Sequence, residues 1–340
     1  MDNPLLDHVM SVSSLNLFAT SPAAYREHIL YPTKEVTTYF TKGSAVDCLI
    51  TEPDEFQNKF AVIKTTRPSG MMGDLCRLMH EYEKVNTEGL PEETLFKVAY
   101  KKTGFKLKEE SVWKKYQGPA IQQYMTFLRN SQGKDVITEA ELEQAKDVVS
   151  MLQNNPRTKW FMKDCKNEIL CDVYDQLRVD FTYNDIACKG FLDRVVVNHN
   201  SKKVYPVDLK TTGKSVLEFR NSFIKYGYFR QAAFYQEGIK HWMSQNPKIK
   251  DYDIQNFRFV VAEMACKHVP VIYECSDSDL YAGKFGGELK SSSTKIKGFA
   301  ELLEDVKWHR ENDNWFTTAE HEKGYAKNGS VLLNVFKQSL

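Results

Sequence analysis

An α/β fold, a mixed β-sheet flanked by helices with a helical insertion at about residues 81–162, is the architecture that the sequence predicts. Three observations carry it. Residues 190–212 (GFLDRVVVNHNSKKVYPVDLKTT) hold two apolar runs rich in Val and Tyr, separated by the polar, turn-forming NHNSKK, which is the pattern of a β-hairpin. Residues 257–264 (FRFVVAEM) and 269–275 (VPVIYEC) form a second such pair and continue the sheet. Helical periodicity fills residues 219–241 and most of 81–162, where TEAELEQAKDVVSMLQNN has Thr138 as a cap and Leu142, Ala145, Val149 and Leu152 on one face. A further helix, AELLEDVKWHRENDNW at 300–315, is expected on the outer surface. With no internal repeat and no low-complexity linker, the 340 residues read as a single domain.

Composition narrows the function without naming it. The hydrophobic content of 42% and charged content of 27% describe a soluble globular chain. Lys+Arg 46 against Asp+Glu 45 leaves a formal charge of +1, so any polyanion-binding surface must be a local patch. The seven cysteines form no C-x-x-C pair and no secretory signal precedes them, which places reduced thiols in a cytoplasm. Cys165 and Cys171 lack the spacing and the His partner of a zinc site. No apolar run approaches the ~20 residues needed to span a bilayer, so no membrane association is expected.

The candidate chemistry lies in the first hairpin. Each strand carries one carboxylate in an apolar context, Asp193 and Asp208, and Lys210 follows the second at i+2. Strand alternation puts Asp208 and Lys210 on one side, with Leu209 turned into the core. Two converging carboxylates need positive compensation, and a hard divalent cation such as Mg²⁺ suits oxygen ligands. A Lys beside it can orient water or neutralise charge on a phosphate, so metal-assisted phosphodiester hydrolysis is the matching reaction. Asp-x-Lys alone is also a common solvated charge pair.

Other segments supply company for that pair. Gln231 and Tyr235 in RQAAFYQ are spaced i, i+4, and would present an amide and a phenol on one helix face next to the Asp/Lys cluster. Asp47 interrupts the apolar run of KGSAVDCLITEPDEF, either at the edge of a buried face or as a further cation ligand. In SVSSLNLFATSPAAYREHIL, Ser21 and Pro22 open a helix with Arg26 one turn in, which reads either as a capped helix with a surface Arg or as a pocket for a terminal phosphate. The basic stretches 97–108 and 114–116 are either a DNA groove or a solvated helix face, and Glu168 is either a further acid of the site or a strand-end residue.

Taken in order, G-x-x-x-D (Gly43 and Asp47), G-x-x-D (Gly190 and Asp193), D-x-K-T-T (Asp208 to Thr212) and Q-x-x-x-Y (Gln231 and Tyr235) resemble the PD-(D/E)xK nuclease superfamily. Within it the chain is most similar to the RecE (exonuclease VIII) type of phage and prophage exonuclease, a likeness that takes in the opening SxSxLNLFATSPAAYREH and covers most of the chain. The resemblance implies a restriction-endonuclease-like core. It also implies a processive Mg²⁺-dependent exonuclease that degrades one strand of linear duplex DNA 5′ to 3′, with Mn²⁺ as an alternative metal. Asp47, Asp193 and Asp208 would be metal ligands together with the Leu209 carbonyl, and Lys210 would position the attacking water and steady the transition state. Gln231 and Tyr235 would hold the nucleic-acid phosphate and the site geometry. By analogy with λ exonuclease, Ser21 and Arg26, with Gln231, would capture the 5′ phosphate.

The implied partners are double-stranded DNA ends, a single-strand annealing protein, and further copies of the chain in a ring. The implied location is the bacterial host cytoplasm. Relatives of this type usually have His at the position of Asp47, which puts metal preference and rate in question. The four cysteines of the iron–sulfur-bearing relatives have no counterpart arrangement here, so no iron–sulfur cluster is expected. Two competing readings remain: an endonuclease with the same site, which would cut closed circular DNA, and an inert DNA-binding relative, against which intact Asp193, Asp208 and Lys210 argue.

Overall fold

Two residues in the left-handed region, Asn184 (φ 47°) and Asp185 (φ 65°), close the hairpin between β1 (Cys171–Tyr183) and β2 (Ile186–Asn198). Positive φ at both central positions is what a tight two-residue hairpin turn needs, and short polar Asn and Asp tolerate it. A second reversal leads into β3 (Lys203–Thr212), with the Asn198 side chain accepting from Ser201 N at 2.9 Å and Lys202 at φ 52°. In this computed structural model the described residues are 4–32, 38–64, 67–131, 133–290, 292, 294–317 and 322.

The chain beyond β3 returns through two helices and pairs again with β3. A two-residue strand, β4 (Asp253–Ile254), and then β5 (Arg258–Glu263) lie parallel to β3, and β6 (Val271–Glu274) is antiparallel to β5. The sheet therefore runs β1-β2-β3-β5-β6, with β4 pairing β3, and it is mixed as expected. The strand that carries D-x-K-T-T is not at an edge of the sheet. β3 has β2 on one side and β5 on the other, because the helical crossover brings β5 back alongside it.

Helices cover the sheet. Ser11 caps α1 (Val12–Thr20) in a capping box with Ser14, and Ser21 caps α2 (Pro22–Leu30) with Pro22 in its first turn, as the residues predict. Residues 219–241, expected as one helix, form two, α3 (Phe219–Lys225) and α4 (Tyr228–Ser244), broken at Gly227 with φ 67°. The apolar face of α4 packs Ala232, Ile239 and Met243 against Val195, Phe257 and Val261 of the sheet. Around a second core, Phe18 and Tyr25 of the N-terminal helices meet Phe181, Phe234 and Trp315. The helix α5 (Phe299–Asn312) belongs to that core through Leu302, Leu303 and Val306; its acidic and basic residues disguise an apolar stripe at helical spacing.

The chain divides into two compact units, residues 1–35 with 150–340, and residues 36–149. The second is described by itself. It contains the helices Thr38–Thr51, Gly70–Val85, Glu92–Thr103, Glu109–Tyr116 and Pro119–Asn130, the last four packed around Leu75, Met79, Phe96, Val112 and Met125. It starts well before the boundary that helical periodicity marks at 81, since Phe60–Ile63 pairs in parallel with Asp135–Thr138 and ties both ends into one body. Thr138 caps the following helix, accepting from Glu141 N at 3.1 Å while the Glu141 carboxylate accepts from Thr138 N at 3.0 Å. At the start of the basic stretch from 97, Lys97 is exposed and paired to Glu93 one turn away. Among the described residues no helix is long and apolar enough to cross a membrane.

A cation is buried within the sheet. Arg194 on β2 is 1% exposed; its Nε donates to Asp175 Oδ1 at 2.6 Å and its Nη1 to the Phe161 carbonyl at 2.6 Å. Removing one member of a buried pair strands the other. Arg194→Ala is expected to lower unfolding stability by about 3 kcal/mol in urea titration; a midpoint equal to wild type would contradict this role.

Candidate active site

The site forms where β2 and β3 part. Their ladder pairs Asn198 with Lys203 through Arg194 with Val207 and then stops, while β3 continues against β5 from Asp208 opposite Phe259 to Thr212 opposite Glu263. The next amide of β3 that faces β2, Leu209 N–H, is taken by the Asp193 side chain at 2.7 Å. A carboxylate thus replaces a strand partner. On β1, at the level of Asp193, Gln176 sits at φ 49°, a left-handed value inside a strand that marks a local distortion. In an extended strand the N–H and C=O of one residue face the same side, so the Leu209 carbonyl faces the same opening. Its side chain is buried on the other face, 8% exposed.

Asp208, Lys210, Gln231 and Tyr235 come together here, as the sequence spacing predicts. Asp208 is 1% exposed; Gln231 Nε2 donates to its Oδ1 at 2.6 Å, and the Lys210 ammonium lies 2.6 Å from its Oδ2. Burial raises the Asp208 pKa, opposed by Lys210 and Gln231. Burial pulls Lys210 the other way, but Asp208 and then Asp193 outweigh it and raise its pKa, so the ammonium is held charged. Tyr235 is pushed up by burial and then by Asp208, with Asp193 and Lys210 also within its field. Its ring lies against Gly190, where a Cβ would come 2.7 Å from Tyr235 Cε1, which explains the glycine of G-x-x-D.

Two contributors escaped the sequence reading. Tyr228 carries the Lys210 ammonium over its ring at 5.1 Å. The signal was present, since Tyr228, Gln231 and Tyr235 follow i, i+3, i+7 along one face of α4. Glu263, 3% exposed at the end of β5, accepts from Val216 N at 2.9 Å and contacts His268 Nδ1 at 2.6 Å, while Tyr273 Oη donates to the Val216 carbonyl at 2.8 Å. These bonds fix the chain just after D-x-K-T-T.

Two further candidates sit on α2. Ser21 Oγ accepts from Ala24 N at 3.3 Å as a helix cap, and the Arg26 guanidinium sits over the Phe316 ring at 5.5 Å. Neither bonds to the Asp208 group. Asp47 is half-buried on the Thr38–Thr51 helix of the other unit, between buried Val46 and Cys48. Glu168 is exposed and accepts from Trp160 Nε1 at 2.6 Å.

Residues 11–280 match the family described as a PDDEXK-like domain of unknown function (DUF3799). The chain belongs to that family. The matched span holds every residue of the Asp208 group. Among solved structures, this PDDEXK-like domain is similar to a provisionally named exonuclease from Eubacterium rectale, at 14% identity and a TM-score of 0.41, covering 90% of this chain and 82% of that one. The Vibrio cholerae protein VC1899 is more distant, at 11% identity and a TM-score of 0.18, with 83% of this chain and 58% of that one covered. No curated protein matches the sequence.

The donor set of this PDDEXK-like domain fits a hard cation. Asp193, Asp208 and the Leu209 carbonyl offer oxygen only, a set of two carboxylates and one backbone group; among the described residues no group of three or more His, Cys, Asp or Glu gathers as a metal site. Two carboxylates are what Mg²⁺ commonly takes from a protein, since it keeps waters and shares substrate phosphate.

Two outcomes follow from this packing. Gly190→Ala should cost about 1–3 kcal/mol through displacement of the Tyr235 ring. In a double-mutant cycle, adding Tyr235→Ala should cost less than the sum of the two single changes; strict additivity would show that the contact is unimportant. Glu263 is held below the usual carboxylate range by Val216 N–H and His268 against the opposing effect of burial. A depressed pKa stabilises above the unfolded value of about 4.3 and is lost as pH falls, so the stability gap between wild type and Glu263→Gln should shrink from pH 6 to pH 3. A gap that widens on acidification would contradict the assignment.

Proposed function

We propose that this PDDEXK-like domain is a Mg²⁺-dependent DNA exonuclease that resects linear double-stranded DNA 5′ to 3′, leaving 3′ single-stranded tails. The observation that carries the hydrolytic reading is the buried Asp208 carboxylate held between Gln231 and Lys210, with Asp193 on the adjoining strand. Family membership supports the same chemistry. End dependence and polarity rest on the likeness of the four ordered motifs to RecE-type exonucleases. The annealing partner, a ring of copies around DNA and a cytoplasmic location rest on it too, as does capture of a 5′ phosphate by Ser21 and Arg26.

Each residue has a distinct task. Asp193 and Asp208, with the Leu209 carbonyl, would hold the cation, and Mn²⁺ would serve in its place. When bound, a divalent ion lowers the pKa of water and offsets charge on the phosphate. Lys210, charged and 23% exposed, donates toward the oxygen on which negative charge develops. Gln231 holds the rotamer of Asp208 through its amide, leaving the other carboxylate oxygen toward Lys210. Tyr235, wedged on Gly190, sets the height of α4 above the sheet. Contacts to phosphate and not to base edges would make binding weaken with salt.

The test is digestion of duplex DNA labelled at the 5′ or the 3′ end beside a covalently closed circle, with Mg²⁺ and with EDTA. Early, Mg²⁺-dependent release of the 5′ label with an intact circle is expected. Cutting of the circle would make the protein an endonuclease, and no cleavage with Mg²⁺ or Mn²⁺ would contradict the enzymatic reading. Lys210→Gln keeps a donor for Asp208 and should lower cleavage at least ~100-fold with an unchanged circular dichroism spectrum; wild-type turnover would refute its role.

A further inference from the structure

The segment after the D-x-K-T-T strand presents a surface that hydrolysis itself does not use. Residues 214–230 hold Lys214, Arg220, Lys225 and Arg230 against one acid, Glu218. Among the described residues none of these four cations makes an ion pair. The Arg230 guanidinium is held by Asn16 and the Lys297 carbonyl, and the charge of Lys214, Arg220 and Lys225 is left for an anion from outside.

Tyr226 lies in the middle of this segment with 51% of its surface exposed. Its backbone is fixed: Asn16 Nδ2 donates to the Tyr226 carbonyl at 3.1 Å, and Asn16 Oδ1 accepts from Arg230 Nε at 3.0 Å. Gly227, next in the chain, takes φ 67° in space that a Cβ would share with both Asn16 and Arg230, so the corner is closely specified. The Tyr226 ring lies 5.7 Å from that of Tyr228, which carries the Lys210 ammonium at 5.1 Å. The Lys225 ammonium sits over one face of the Tyr226 ring, 5.3 Å from its centroid, where an incoming base would displace it toward the phosphate. An exposed, anchored aromatic thus stands one ring away from the catalytic lysine with a cation beside it. A solitary exposed Tyr calls for no explanation, but an anchored ring with the unpaired Lys225 on it and Arg230 on the same anchor matches a nucleobase and its phosphate.

We propose that Tyr226 is a stacking platform for the base of a nucleotide adjoining the phosphate held at Lys210, with Lys225 on the sugar-phosphate backbone of the same strand. This rests on the nuclease reading and adds to it a place for the strand beside the reacting bond. Stacking on an aromatic face is available to every base, so the platform holds a strand without selecting sequence.

The test is fluorescence anisotropy of full-length protein in EDTA, where no cleavage occurs, with fluorescein-labelled single-stranded oligodeoxynucleotides that each carry one abasic position. Tyr226→Ala should weaken binding of the intact strand about 10-fold, and Tyr226→Phe should bind as wild type. One abasic position should weaken wild type to a similar degree and have no further effect on Tyr226→Ala. Lys225→Ala should reduce the slope of log affinity against log salt by about one. Wild-type affinity in Tyr226→Ala, or an undiminished abasic penalty in that variant, would overturn the platform. If wild type cleaves end-labelled DNA while Tyr226→Ala binds normally, the platform falls and the nuclease stands. Failure of wild type both to bind and to cleave would refute both.

Discussion

A carboxylate as deeply buried as Asp208 persists only where its charge is met, and the structure around it is arranged to meet it. Lys210, two residues on, supplies the charge and Gln231 the neutral donor, one from the same strand and one from the helix that crosses over the sheet. The crossover has to place α4 within hydrogen-bond distance of β3, which makes the parallel return of β5 alongside β3 a requirement of the site as well as of the fold. The arrangement is costly to disturb, because removing either partner strands a buried charge.

The second constraint is that a strand must part from its neighbour without orphaning its backbone. Where β2 leaves β3, Asp193 accepts the Leu209 amide, so the same carboxylate that would face a cation also closes the ladder. Gln176, in a left-handed conformation at that level on β1, shows the distortion reaching one strand further. Beyond the site, Glu263 and Tyr273 take both backbone groups of Val216 and so hold the chain that leads from β3 into α3. The stretch from Leu209 to Val216 is thereby held by side chains and not by ladder bonds alone.

Much of this was legible because the informative patterns are local. Alternation in VYPVDLKTT places Asp208 beside Lys210, and the i, i+4 spacing of Gln231 and Tyr235 places them on one helix face, with nothing else needed. Gly190 was readable as part of a motif, but its cause, the Tyr235 ring against its Cα, depends on a contact between distant residues that spacing does not encode. The same holds for Glu263, which looks like any strand-end acid until Val216 is folded back onto it. The central position of β3 was hidden because strand order depends on where the crossover lands. The helix break at Gly227 was obscured by good helix formers on both sides, and the extent of the 36–149 unit by a parallel pair of strands far apart in sequence.

The central claim is that Asp193 and Asp208 form a cation site within this array. The most direct measurement is electron paramagnetic resonance titration of Mn²⁺ into wild type, Asp193→Asn and Asp208→Asn, with circular dichroism to confirm that each is folded. Saturable Mn²⁺ binding by wild type, competed by Mg²⁺ and lost in both folded variants, is the result this account predicts. Equal binding by wild type and the two variants would contradict it.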